Sequence, residues 1–93
     1  MVAMDVSPLK GRLLEETHFG WALEQLKSGL EVCRAGWNGK GQKLTLQVPD
    51  AHSKMTLPYI FITTVQGDRV PWLASQTDLL SNDWELAGKP VGE

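Results

Sequence analysis

Between positions 19 and 30 the apolar residues Phe19, Ala22, Leu23, Leu26 and Leu30 recur at three- and four-residue intervals. Glu24, Gln25 and Lys27 fall between them, on the opposite side of a 3.6-residue period. This predicts an amphipathic helix of about three turns, capped by Thr17 or His18 and stopped by Gly29 in a left-handed conformation. Trp21 lies off the main stripe beside Gln25 and is expected on the helix flank or on another subunit.

The period then changes to two. Leu30, Val32 and Arg34 alternate with Glu31, Cys33 and Ala35, and Leu44, Leu46 and Val48 are expected inward on a second run from Gln42 to Val48. Gly36-Trp37-Asn38-Gly39-Lys40-Gly41 separates the two, and its glycines allow positive φ and close backbone approach. The pair predicts a hairpin. Leu57 to Val65, mostly β-branched or aromatic after Pro58, is the strongest strand signal. Gln66-Gly67-Asp68 turns it into Arg69 to Leu73, where Pro71 marks an edge, a bulge or an end. Ser75, with Asp78 three residues on, is a capping box opening a short helix. Trp84 to Ala87 closes the pattern as a last strand with Trp84 in the core. The fold class is α+β: a small twisted antiparallel sheet, one N-terminal amphipathic helix and a short capped helix before the last strand.

Residues 1–16 have no clear period and are expected to be an N-terminal extension, with a helical turn at Leu13 to Glu16 and Met4 as an alternative start. Residues 17–88 form one domain, and 89–93 a tail. Ninety-three residues bury a thin core, so partner chains are a natural supplement. Four tryptophans are too many for so small a core, which places at least one at an interface or pocket.

Net charge is −2 with the signs interspersed, which argues against duplex nucleic acid while leaving room for a small phosphorylated ligand. One cysteine, Cys33, excludes an intrachain disulfide and a thiol metal cluster, and His18 and His52 have no metal spacing. No apolar run approaches the ~20 residues of a membrane span, and no secretory signal is visible, so a cytoplasmic protein is expected.

Two strings carry chemistry. The glycine-rich run lacks both the Walker spacing and the dinucleotide fingerprint, and such runs are often only turns. Its functional reading is a backbone nest with Trp37 as a stacking plate, Asn38 reading polar edges, and Arg34 or Lys40 meeting a phosphate. The second string, Val70 to Trp84, offers helix N–H groups, side-chain oxygens and Trp72 as a flat surface, though a tryptophan at a strand end is most often core. Catalytic machinery is thin: Ser75 has no nearby histidine, and Cys33 lacks an evident activating base. Asp78 and Asp83 read as capping and helix-end residues. The chain is expected not to be an enzyme.

Phe19-Gly20-x-Ala22-Leu23-x-x-Leu26-Lys27-x-Gly29, Arg34-x-Gly36-Trp37-Asn38-Gly39-Lys40-Gly41, Pro58-Tyr59-Ile60 and Val70-Pro71-Trp72-Leu73-Ala74-Ser75-Gln76-Thr77-Asp78-x-Leu80-x-x-Asp83-Trp84 follow one another in this order. In these strings, from Phe19 to Leu86, the chain resembles the phage and prophage Thoeris anti-defence sponge proteins of the second type. The resemblance implies a homo-oligomer, typically a tetramer, whose pockets between subunits withhold cyclic nucleotide immune signals. These are chiefly cyclic ADP-ribose isomers, with cyclic oligonucleotides in some relatives, held without cleavage; no cofactor or metal is expected. Carried onto this chain, it makes Trp37 and Trp72 ring-stacking candidates, and Asn38, Ser75, Gln76, Thr77 and Asp78 polar contacts. Arg34 and Lys40 follow from charge alone, as pyrophosphate partners. The alternative is a phage-encoded module whose tryptophans bind a host protein.

Overall fold

In the computed structural model, which describes residues 17–87, helix α1 spans Phe19–Lys27 and buries Ala22 and Leu26 completely. His18 is its N-cap residue and accepts no backbone N–H through its side chain. The C-terminus is closed by a Schellman motif: Leu30 N–H donates to Gln25 C=O at 3.0 Å and Gly29 N–H to Leu26 C=O at 3.0 Å. Gly29 stands at φ +91°, a conformation that glycine adopts without a Cβ penalty.

The strands follow as β1 (Val32–Arg34), β2 (Lys43–Gln47), β3 (Tyr59–Thr63) and β4 (Arg69–Pro71), then helix α2 (Gln76–Leu80) and strand β5 (Trp84–Leu86). The first four make an antiparallel meander. The chain then crosses back, so that β5 pairs with β1 and the sheet order is β4-β3-β2-β1-β5. The expected α+β class, with its N-terminal helix and short helix before the last strand, is the observed one.

Register assigns the faces. Val32 lies opposite Leu44 and Leu86, and Leu44 opposite Ile62, so these side chains share the side on which α1 packs. Ala22, Leu26, Val32, Leu44 and Trp84 form the fully buried core, with Phe19, Trp21, Leu46, Ile60 and Ile62 packed around it. The other side carries Cys33 and Glu85, Lys43, Thr63 and Arg69, and Thr45, Phe61 and Pro71.

The strand ends depart from the expected pattern. The β3 strand is shorter than Leu57 to Val65, because Pro58 has no N–H to extend the ladder past Tyr59 and Val65 is taken into the following turn. Val48, expected inward, therefore lies beyond the last ladder pair, Gln47 and Tyr59, and is 62% exposed. Leu30, expected at the start of the first alternating run, gives its N–H to the helix end and is exposed, so β1 begins at Val32. Pro71 is the last residue of an edge strand whose three residues are all exposed, a short edge that resists further strand pairing. The expected helical turn at residues 13–16, the extension at 1–16 and the tail at 89–93 lie outside the described residues.

Candidate functional site

Arg34 ends β1 directly opposite Trp84, so its side chain emerges on the α1 side of the sheet beneath α2. There it meets two carboxylates. Nη1 donates to Asp78 Oδ1 at 2.8 Å, Nε to Asp83 Oδ1 at 2.8 Å, and Nη2 to Asp83 Oδ2 at 3.4 Å. Only 13% and 14% of the Arg34 and Asp78 side chains remain exposed, so water screens this pair weakly.

Both aspartates do more than pair with arginine. Ser75 and Asp78 form the complete capping box expected for α2: Ser75 Oγ accepts from Asp78 N–H at 3.0 Å, and Asp78 Oδ2 accepts from Ser75 N–H at 3.3 Å. Asp78 Oδ1 also accepts from the indole Nε1–H of Trp37 at 3.1 Å, and the Asp78 carbonyl accepts from Trp84 Nε1–H at 3.1 Å. Asp83 Oδ2 accepts from Gly36 N–H at 2.8 Å, which anchors the first glycine of the turn. Burial works to raise the Asp78 pKa but is outweighed by hydrogen bonds from Arg34, Trp37 and Ser75, which leave it below the ordinary value. The hydrogen bonds from Arg34, with a smaller one from Gly36 N–H, likewise hold Asp83 low against its burial. The same pairings, with Asp83 first and Asp78 second, raise Arg34 further above its already high value.

The aromatic rings meet at one hub. Trp84 is buried, and Trp37 stands edge-on to it at 5.5 Å and 78°, Trp72 at 6.1 Å and 87°, with Phe19 at 5.3 Å. Trp37 and Trp72, distant in sequence, thus converge on a common ring, and both remain half-buried. Trp37 also walls a cleft of about 280 Å³ together with Arg34, Gly39, Lys40, Gln42 and Glu85. Trp72 is not among that cleft's lining residues. A second cleft of about 360 Å³ shares Cys33, Gly41, Gln42 and Glu85 with the first.

Arg34, Trp37, Ser75 and Asp78 are joined by direct hydrogen bonds, whereas Asn38, Lys40, Gln76 and Thr77 are exposed and Lys40 alone of them lines the cleft. In the glycine turn only Gly41 has positive φ, at +88°, and Gln42 Nε2 donates to Gly39 C=O at 3.3 Å. Asp83, Gln42 and Glu85 are site residues that sequence reading missed. Asp83 and Glu85 come to the site through the pairing of β5 with β1, a crossover without any local sequence signal.

A larger cleft, about 430 Å³, lies elsewhere, between the loop before β3 and the end of β4, lined by Met55, Thr56, Leu57, Pro58, Tyr59 and Pro71. It contains no charged side chain. A smaller cleft of about 230 Å³ also combines rings and donors, through Tyr59, Phe61, Gln47 and Arg69. The cleft at the glycine turn is the one whose indole wall is tied by hydrogen bonds to the Arg34 cluster, which is why the candidate site is placed there and not at the larger cavity. Among the described residues, no group of three or more His, Cys, Asp or Glu is placed to hold a metal ion, and no helix is long and apolar enough to cross a membrane.

Comparison with known proteins agrees in extent with this arrangement. Residues 17–87 match the model of the Thoeris anti-defense 2-like domain. The chain is also 38% identical to Thoeris anti-defense 2 of Bacillus phage SP01, an alignment covering 73% of this chain and 91% of the relative.

Proposed function

Because the chain belongs to the Thoeris anti-defense 2-like family, we propose that it acts against bacterial anti-phage defence by binding and sequestering a cyclic nucleotide signal. The ligand class is a cyclic ADP-ribose isomer, extending to cyclic oligonucleotides, held without bond cleavage in the cytoplasm of the infected host. The observation that carries this reading is the cleft beside Trp37, where an indole wall, the Gly39–Gln42 backbone and the Lys40 ammonium meet. An indole supplies a stacking surface worth about 1–3 kcal/mol for one base, and an ammonium–phosphate hydrogen bond about 1.5–3 kcal/mol.

A cleft of about 280 Å³ lies at or below the small end of the roughly 300–1,000 Å³ that enclose drug-sized ligands. Walls from a second copy would complete it, so the proposed active form is a homo-oligomer with the tetramer as first expectation. Leu73, Leu80 and Leu57 support assembly, since they expose 92%, 81% and 74% of their surface on the single chain.

Titration calorimetry with a cyclic ADP-ribose isomer, then heating to release the bound molecule, tests the proposal. Intact ligand recovered in stoichiometric amount is the expected result, and Trp37→Ala removes the heat signal. A hydrolysed product in the supernatant would make the protein an enzyme. The rival reading is a module whose tryptophans capture a host protein, with Trp37 and Trp72 both half-buried. It would be favoured if Trp37→Ala and Trp72→Ala abolished a pull-down partner and no nucleotide bound.

A further inference from the structure

Arg34 reads, by charge alone, as a partner for pyrophosphate, but its surroundings say otherwise. Its N–H groups are aimed at Asp78 and Asp83, and one guanidinium against two carboxylates leaves the cluster with one net negative charge. A phosphate brought to Arg34 would be set against both carboxylates at close range, where like charges repel strongly. The same carboxylates hold the Trp37 indole N–H and the Gly36 amide.

We propose that Arg34, Asp78 and Asp83 form a clamp that presets the Trp37 ring and the start of the glycine turn before the ligand arrives. In this arrangement Arg34 is a positioning residue, and the anionic part of the ligand lies at the Lys40 end of the cleft. This rests on the binding reading above and adds the division of labour within that site. The clamp joins three segments: β1 gives Arg34, the first turn of α2 gives Asp78, and the residue before β5 gives Asp83. Trp84 supports the Trp37 ring edge-on, and the clamp adds the polar tie: Asp78 takes the indole N–H, Asp83 takes the Gly36 N–H, and Arg34 links the two carboxylates. A preset stacking wall lowers the ordering cost that a loop-borne aromatic otherwise imposes on binding.

Gly36 offers a test that replaces no candidate ligand contact. A Cβ at Gly36 would come 2.8 Å from Asp83 Oδ2 and 3.3 Å from Arg34 Nη2, and its backbone is not in the left-handed region. Gly36→Ala therefore pushes on the clamp alone. Arg34→Lys keeps the positive charge but cannot span two carboxylates with a rigid fork.

The experiment has two parts. Indole N–H resonances of the 15N-labelled protein are recorded without ligand for wild type, Gly36→Ala, Arg34→Lys and Asp78→Asn. Calorimetry with cyclic ADP-ribose is then run at low and high salt. The expected result is a solvent-protected Trp37 indole N–H whose resonance moves in all three variants. Affinity should fall about tenfold or more in Gly36→Ala and Arg34→Lys, the scale of coupling between residues of one network. The salt dependence should match wild type in both variants and flatten in Lys40→Gln. Should Arg34→Lys flatten the salt dependence while the Trp37 resonance stays in place, Arg34 touches the ligand and the clamp is overturned. Gly36→Ala binding like wild type would overturn it too. If the wild type binds no cyclic ADP-ribose, the sequestration reading falls and the resonances decide by themselves: an indole N–H exchanging as fast as an exposed one sinks the clamp. Where Arg34→Lys does not fold, Gly36→Ala and Asp78→Asn supply the same measurements.

Discussion

Around Arg34, the polar groups of β1, the glycine turn, the α2 cap and β5 are bonded to one another, and a buried tryptophan sits beneath them. Around Leu57 and Tyr59, at the β3–β4 side of the sheet, the situation is reversed. Met55, Leu57, Tyr59 and Val70 are exposed apolar side chains around a cleft or strand edge, and β3 is held to β2 and β4 by the backbone ladder with Arg69 stacked over the Phe61 ring. The first region satisfies its polar groups internally. The second leaves apolar surface in water, the condition under which protein surfaces associate. Under the proposed function, one small chain would separate two tasks: orienting a ligand wall with polar bonds, and keeping apolar area available for assembly.

The sharpest test of the first half is Trp84→Ala. This ring is 1% exposed, and Phe19, Trp37 and Trp72 all rest on it. Its removal should cost about 3–5 kcal/mol, which in a domain of this size leaves little folded protein. Urea unfolding followed by circular dichroism would show it. A loss below ~1 kcal/mol would mean the aromatic hub is not what holds the polar region in place.

Asp78→Ala comes next. It removes the capping box, the acceptor for Trp37 Nε1–H and one of the two partners of Arg34, while Asp83 still pairs with the guanidinium. Loss of a cap is worth about 1 kcal/mol and a broken, largely desolvated charge pair more, so about 2–3 kcal/mol is expected. Ser75→Ala, which breaks only the cap, should cost about 1 kcal/mol, and equal costs for the two variants would show that Arg34 contributes nothing through Asp78.

Acid separates the two regions without mutation. Asp78 and Asp83 have folded-state pKa values below their ordinary ones, so the unfolded chain takes up protons first as pH falls. Their stabilisation is whole above the ordinary carboxylate range near ~4 and is lost as pH drops through the depressed folded values. Urea midpoints measured between pH 6 and pH 2 should therefore fall on acidification. The fall should be shallower in Asp83→Asn than in wild type. Glu31 adds to the trend: burial opposes its ionisation, but hydrogen bonds from Thr45 and Lys43 and the charges of Lys43 and Arg69 outweigh it and depress its pKa. A wild-type midpoint flat to pH 2 would contradict the paired-carboxylate account.

The two regions were not equally legible in the sequence. Local signals gave α1 through its apolar stripe, its stop at Gly29, the Ser75–Asp78 capping box and Trp84 as core, because each depends on residues within four positions of one another. The joining of Arg34 to Asp83 depends on β5 returning beside β1, across 49 residues, and no periodicity encodes that. Asp83 was accordingly read as a helix-end residue. Val48 was misplaced, and the first strand begun too early at Leu30, for a related reason: alternation continues past the point where ladder bonds stop, and only the pairing partner sets that point.

The smallest expected change in the single chain belongs to Leu57→Ser. Leu57 is 74% exposed and precedes Pro58 outside the strand, so its side chain adds little to the folding of one copy and the substitution should stay within about 0.5 kcal/mol. Its effect on association is a separate matter. If this apolar region meets another copy, as the proposed homo-oligomer allows, each Leu57 loses water contact on assembly. Burying a leucine is worth roughly 1.5–3 kcal/mol, so the variant should shift the assembly equilibrium at least tenfold while monomer stability holds. Sedimentation velocity over a hundredfold range of protein concentration would read the shift. An unchanged sedimentation profile beside unchanged stability would move the interface away from the β3–β4 side, to the surface that carries Leu73 and Leu80.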